Sequence, residues 1–93
     1  MMKVRFALTK RLSEMSGFEG GEVELREGTT IAGALEEVTG RFVGAESRSL
    51  FREGQLHPAV LVVVNGETCL PDDRVAPLSG GETIDLFLPV AGG

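Results

Sequence analysis

The sequence predicts a two-layer α+β domain in the order ββαβββ, with one mixed sheet and one main amphipathic helix. Three patterns carry that expectation. Two runs near the start alternate apolar and polar residues. A middle stretch repeats apolar residues at helical spacing, and the last third returns to strand-like runs around an Asn-Gly pair.

Over residues 3–8, Val4, Phe6 and Leu8 fall on one face and Lys3, Arg5 and Ala7 on the other, the pattern of a half-buried strand. A turn rich in glycine (Gly17, Gly20, Gly21) leads to a second alternation, with Val23 and Leu25 inward and Glu22, Glu24 and Arg26 outward. Two such runs joined by a loop predict a hairpin. Thr30, or Thr29, then offers a side-chain oxygen to the unpaired amides of a helix start. Ile31, Ala34, Leu35, Val38 and Phe42 follow at spacings that place them on one helical face. Gly33 and Gly40 oppose the helix, each by ~1 kcal/mol against alanine in a helix interior.

Residues 43–58 are polar and irregular, with Leu50 and Phe51 as apolar anchors, and predict a long connection. Residues 59–64 are apolar and mostly β-branched, the composition of a central strand covered on both faces. Asn65-Gly66 signals a two-residue hairpin turn, which makes 68–70 a short return strand. Pro71-Asp72-Asp73 and Ser79-Gly80-Gly81 are predicted turns, with Val75 and Leu78 as apolar anchors between them. The last strand, 83–88, points Ile84, Leu86 and Leu88 inward. Residues 1–88 thus form the domain, and 89–93 a flexible tail.

Composition narrows the function. The net charge is −5 at pH 7, and the nine Lys and Arg residues are scattered, so a basic protein surface is a better partner than nucleic acid. The longest apolar run, 59–64, is far shorter than the ~20 residues that span a bilayer, and nothing resembles a signal peptide. The expected setting is therefore soluble and cytoplasmic, with no membrane partner. Cys69 is alone and cannot form an internal disulfide. His57 is the only histidine, so no paired-His metal site and no bound cofactor is expected. Asp72-Asp73 fits turn chemistry, and the Gly pairs at 20–21 and 80–81 lack the setting of a phosphate loop. These sites do not make an enzyme.

The chain instead directs attention to its end, Pro89-Val90-Ala91-Gly92-Gly93. Pro89 has no N–H to extend a ladder, and the residues beyond it become small. Met2-Lys3-Val4-Arg5-Phe6-Ala7, Val63-Val64-Asn65-Gly66-Glu67 and Ser79-Gly80-Gly81-Glu82, with Leu86-Phe87-Leu88 leading into that ending, complete a distinctive set. With these motifs the chain resembles the MoaD/ThiS family of ubiquitin-like sulfur carriers, most closely in its ending, which is similar to that of the molybdopterin synthase small subunit.

The resemblance implies a ubiquitin-like β-grasp fold and a carrier that does not itself catalyse. It implies that an E1-like adenylating enzyme of the MoeB/ThiF kind uses ATP to activate Gly93, with Gly92 beside it. A persulfide donor would supply sulfur for a terminal thiocarboxylate. A sulfur acceptor, such as the molybdopterin synthase large subunit, would then receive it. Phe87, facing outward with Ala7 and one face of the 59–64 strand, together with Pro89, Val90 and Ala91, would contact the partner. Three other destinations share these features: a CysO-like carrier for cysteine biosynthesis, a ubiquitin-like protein modifier, and an interaction module with incidental glycines.

Overall fold

The computed structural model describes residues 1–42, 51–52, 55–56 and 60–87. Leu50, His57, Ala59, Leu88 and the tail from Pro89 to Gly93 lie outside the described residues, as do the side chains of Phe42 and Phe51.

Among the described residues, seven strands and two α-helices form in the order β1 (Met2–Leu8), α1 (Lys10–Ser16), β2 (Gly21–Leu25), α2 (Ile31–Phe42), β3 (Phe51–Arg52), β4 (Gln55–Leu56), β5 (Leu61–Val64), β6 (Glu67–Cys69) and β7 (Thr83–Phe87). The main sheet has the order β2-β1-β7-β5-β6, with β7 at its centre. β7 runs parallel to β1 and antiparallel to β5, and the β1–β2 and β5–β6 pairs are antiparallel. The main-sheet strands and α2 follow the predicted ββαβββ order.

The alternation in β1 and β2 sorts as expected, because side chains along a strand point to opposite faces. Val4, Phe6, Val23 and Leu25 are buried, while Lys3, Arg5, Glu22 and Glu24 are exposed. Ile31, Ala34, Leu35 and Val38 of α2 close the core over Val62, Ile84 and Leu86. Thr30 caps that helix, its Oγ1 accepting from the Gly33 amide at 3.0 Å. Phe6 and Phe18 pack edge to face, with ring centroids 6.0 Å apart.

Several expectations need correction. Helix α1 occupies a stretch that the sequence pattern left within the β1–β2 loop. It is only seven residues long and ends on Gly17 in the left-handed region (φ 78°). Its described side chains contribute one fully buried residue, Leu12. Residues 43–58 are not irregular throughout, since β3 and β4 pair there as a two-stranded ladder.

The 59–64 run is not covered on both faces. Val60 and Val62 are buried, but Leu61 is 48% exposed, because the core lies on one side of the sheet only. The Asn65-Gly66 turn has positive φ at both residues (50° and 83°), as a two-residue hairpin requires. It pairs Val64 with Glu67, so the return strand is Glu67–Cys69, one residue earlier than expected. Residues Pro71–Val75 form a 3-10 helix that leaves Val75 76% exposed, so Val75 anchors nothing. Leu78 does anchor its segment: it is buried, and its amide donates to the Thr29 carbonyl at 2.8 Å.

One glycine in the β1–β2 connection is fixed by space as well as by dihedral angle. Gly20 has φ 87°, and a Cβ there would stand 2.5 Å from the Phe6 carbonyl oxygen, an immovable backbone atom. Gly20→Ala is expected to destabilise the fold by about 1–3 kcal/mol, read as a lower urea midpoint with an unchanged slope.

Candidate functional site

The end of β7, where the chain leaves the sheet toward residues 88–93, is placed by two side chains at the strand's beginning. Glu82 Oε2 accepts from the Ser79 amide and Oε1 from the Gly80 amide, each at 2.7 Å. The same turn meets β1 through its backbone: the Gly81 amide donates to the Lys3 carbonyl at 2.7 Å, and the Arg5 amide to the Glu82 carbonyl at 2.9 Å. On the other side, Asn65 Oδ1 accepts from the Thr83 amide and the Asn65 amide donates to the Thr83 carbonyl, both at 2.9 Å. Two of the motifs noted in the sequence, Val63 to Glu67 and Ser79 to Glu82, therefore hold the entry of one strand from both sides.

Burial pushes the Glu82 carboxyl up, but the Ser79 and Gly80 amides outweigh it and hold the group below the ordinary carboxylate range. A lowered value means that ionised Glu82 stabilises the fold above the unfolded-state value, and that this is lost as pH falls through the folded-state value.

The register then assigns the outer face. Phe6 pairs with Ile84 and Leu8 with Leu86 on the core side, so Ala7 and Asp85 pair on the outside. Leu61 pairs with Phe87 and Val63 with Asp85 on that same outer face. Phe87 is 42% exposed and stands beside Leu61, while Ala7 and Val63 are half-buried. The structure thus brings Phe87 and Ala7 onto one surface, as expected. One face of the 59–64 strand is expected on this surface too, and Leu61 is its exposed member; what fails is the expectation that the strand is covered on both faces. Counting back from the Asn-Gly turn gives the alternation that turns Leu61 outward. Gly92, Gly93, Pro89, Val90 and Ala91 lie outside the described residues.

The remaining candidates separate from this site. Cys69 is 7% exposed on the core side of β6, and burial pushes its thiol up, only partly offset by the neighbouring Arg74. Such a thiol is a poor nucleophile. Asp72 and Asp73 lie in the 3-10 helix, where Asp73 Oδ2 accepts from the Leu70 amide at 3.3 Å. Among the described residues, no three His, Cys, Asp or Glu side chains are grouped to hold a metal ion. No helix among them is long and apolar enough to cross a membrane.

The model of the ThiS family matches residues 7–93, which takes in β7 and everything after it. The chain belongs to the ThiS family. These are ubiquitin-fold sulfur carriers and modifiers, small carrier subunits rather than catalysts, which work with E1-like and other partner enzymes.

Solved structures agree with the β-grasp fold of this ThiS-family chain. SAMP1 from Haloferax volcanii is 27% identical with a TM-score of 0.77, covering 98% of this chain and 99% of its own. A chain of the Amycolatopsis orientalis BexX/CysO complex is 28% identical with a TM-score of 0.68, covering 97% and 99%. A Pyrococcus furiosus protein described as molybdopterin converting factor, subunit 1, is 24% identical with a TM-score of 0.70, covering 97% and 100%. At that identity it shows the fold alone. Among curated proteins no sequence matches.

Glu82→Gln replaces one acceptor with a donor facing an amide. It is expected to cost about 1 kcal/mol at pH 7. The gap from the unsubstituted protein should narrow as pH falls below about 4, in urea titrations at several pH values.

Proposed function

We propose that this chain is a sulfur carrier whose Gly93 carboxylate is activated and converted to a thiocarboxylate, with molybdopterin as the destination of the sulfur. The observation that supports it most is the family match running through residue 93, because it includes Gly92-Gly93, with four residues between them and the central strand of a ubiquitin-like sheet.

The chemistry follows from the weakness of a carboxylate as an acyl donor. In this reading an E1-like enzyme lets a Gly93 carboxylate oxygen attack the α-phosphorus of ATP, and pyrophosphate leaves. The outer sulfur of a protein persulfide then attacks the acyl carbon, and AMP leaves. A thiol cleaves the resulting acyl disulfide, which frees the thiocarboxylate and leaves a disulfide on the donor side. A sulfur acceptor enzyme, such as a molybdopterin synthase large subunit, takes the sulfur in its own active site. Glycine at the last two positions suits entry to a narrow channel, where a side chain would obstruct the approach. ATP is consumed by the activating enzyme, and the carrier holds no cofactor of its own.

Two likenesses favour neighbouring destinations. The 28% identity to a chain of the BexX/CysO complex favours delivery of sulfur to another enzyme class, and cysteine synthesis is the CysO-like case. The 27% identity to SAMP1, a small archaeal modifier protein, favours isopeptide attachment of Gly93 to a lysine.

Intact-protein mass spectrometry after incubation with ATP, the cognate E1-like enzyme and a persulfide donor tests the reading. A mass gain equal to one sulfur replacing one oxygen, mapped to Gly93, is expected. Deletion of Gly93 is expected to abolish that gain while the unfolding transition stays cooperative and unshifted. No gain with an active enzyme would overturn the carrier reading, and lysine-linked adducts would replace it with the modifier. Separately, Phe87→Ala is expected to weaken binding of the activating enzyme about tenfold while shifting the urea midpoint little. Unchanged affinity would remove Phe87 from the docking face.

A further inference from the structure

The outer face carries two features that the docking role of Phe87 does not use. The first is Leu70. It follows β6 directly with extended backbone (φ −74°, ψ 159°), one residue past Cys69, which pairs with Val62. Leu70 is 60% exposed. Leu61 and Phe87 pair across β5 and β7, and Leu70 stands at the end of β6, the strand next to β5. These are three exposed apolar side chains on three neighbouring strands or their ends. Exposed apolar side chains that are gathered, rather than scattered, mark a contact site.

The second is Asp85. It lies one row behind the Leu61–Phe87 pair, between Ala7 on β1 and Val63 on β5, and is half-buried. Among the described residues its carboxylate has neither a hydrogen bond nor an ion pair. Arg5 is the cation facing this surface from β1, but it stands opposite Thr83, one row further back, and the two form no ion pair. It is a half-buried carboxylate without such a partner, beside the half-buried side chains of Ala7 and Val63. A cation on a docked protein would supply one.

We propose that Leu70 and Asp85 extend the docking face, and that the activating enzyme seats an Arg or Lys on Asp85 while an apolar surface covers Phe87, Leu61 and Leu70. Charge complementarity selects this occupant: the chain is acidic overall, with net charge −5, and its unpaired acid sits at the centre of the face. Position selects it too, because the enzyme that takes up the tail must lie over the end of β7. This assignment of the partner rests on the carrier reading above.

The test is calorimetric titration of the full chain with its cognate E1-like enzyme, without ATP, so that docking is measured apart from activation. Asp85→Asn is expected to weaken binding about tenfold, and Asp85→Lys by more than that. Leu70→Ser is expected to weaken it about fivefold. Added salt should weaken the unsubstituted chain more than Asp85→Asn. The thermal midpoint of Asp85→Asn is expected to move little, so lost binding cannot be read as lost folding.

Unchanged or tighter binding by Asp85→Asn, unchanged binding by Leu70→Ser, or no binding by the unsubstituted chain would each overturn the proposal. The carrier reading fails differently. Variant-sensitive docking without any thiocarboxylate would uphold the docking face and remove the carrier chemistry. Thiocarboxylate formation with variant-insensitive docking would do the reverse.

Discussion

A strand at the centre of a sheet can direct the chain that follows it only if its own register is fixed. In this domain that constraint falls on the entry of β7. The Glu82 carboxylate gathers the Ser79 and Gly80 amides, and Asn65 reaches across from the β5–β6 turn to pair with Thr83. A slip of one residue would send Ile84 and Leu86 outward and draw Phe87 into the core, because alternation allows no intermediate arrangement. The burial of Ile84 and Leu86 and the backbone bonds of the Gly80-Gly81 turn to β1 therefore support the same register. Gly80 contributes through its positive φ (103°), and a Cβ there would stand 3.1 Å from the Met2 Cβ.

How much of this was legible in the sequence follows from how many residues carried each signal. Strands β1, β2 and β7 and helix α2 each place at least two buried residues at the proper period, so alternation or helical spacing identified them. Helix α1 offers only Leu12 among its described side chains, and one buried residue has no period. Gly17 was visible as a turn glycine but not as the end of a helix. The β5 misreading has a different origin. A β-branched run reports that a strand is well suited to a sheet, while coverage of its second face depends on where helices pack. Here they pack on one side. At the site, alternation turned Phe87, Ala7 and Asp85 outward, and counting back from the Asn-Gly turn does the same for Leu61. Which strands lie beside one another, and that only one face is covered, needed the long-range pairing of β7 with β1 and β5, which local pattern does not contain.

The uncovered face connects fold to function. In a domain this small, roughly 60–65% of the unfolded chain's surface is buried, and the core consumes most of the large apolar side chains. Leaving Leu61 and Phe87 exposed on one face therefore forgoes burial that a second layer would have supplied. Family membership gives that face a use, since carriers of this kind work with partner enzymes. Surface that is unfavourable in the free protein becomes favourable only when a partner covers it.

The same limit explains why the proposed chemistry sits at a chain end rather than in a cleft. Cys69, the one thiol, is spent inside the core, and the described carboxylates serve turns, caps and surface. The six residues after Phe87 reach at most about 20 Å if extended, enough to carry a terminal carboxylate away from the sheet and into another protein's active site. Docking and delivery then separate physically. In the proposed reading, apolar side chains on the open sheet face, Leu61 and Phe87 among them, would fix where the partner sits, and the residues after Phe87 would supply the reach. Neither demands an enclosed pocket of the carrier, and a sheet with one covered face is sufficient for both.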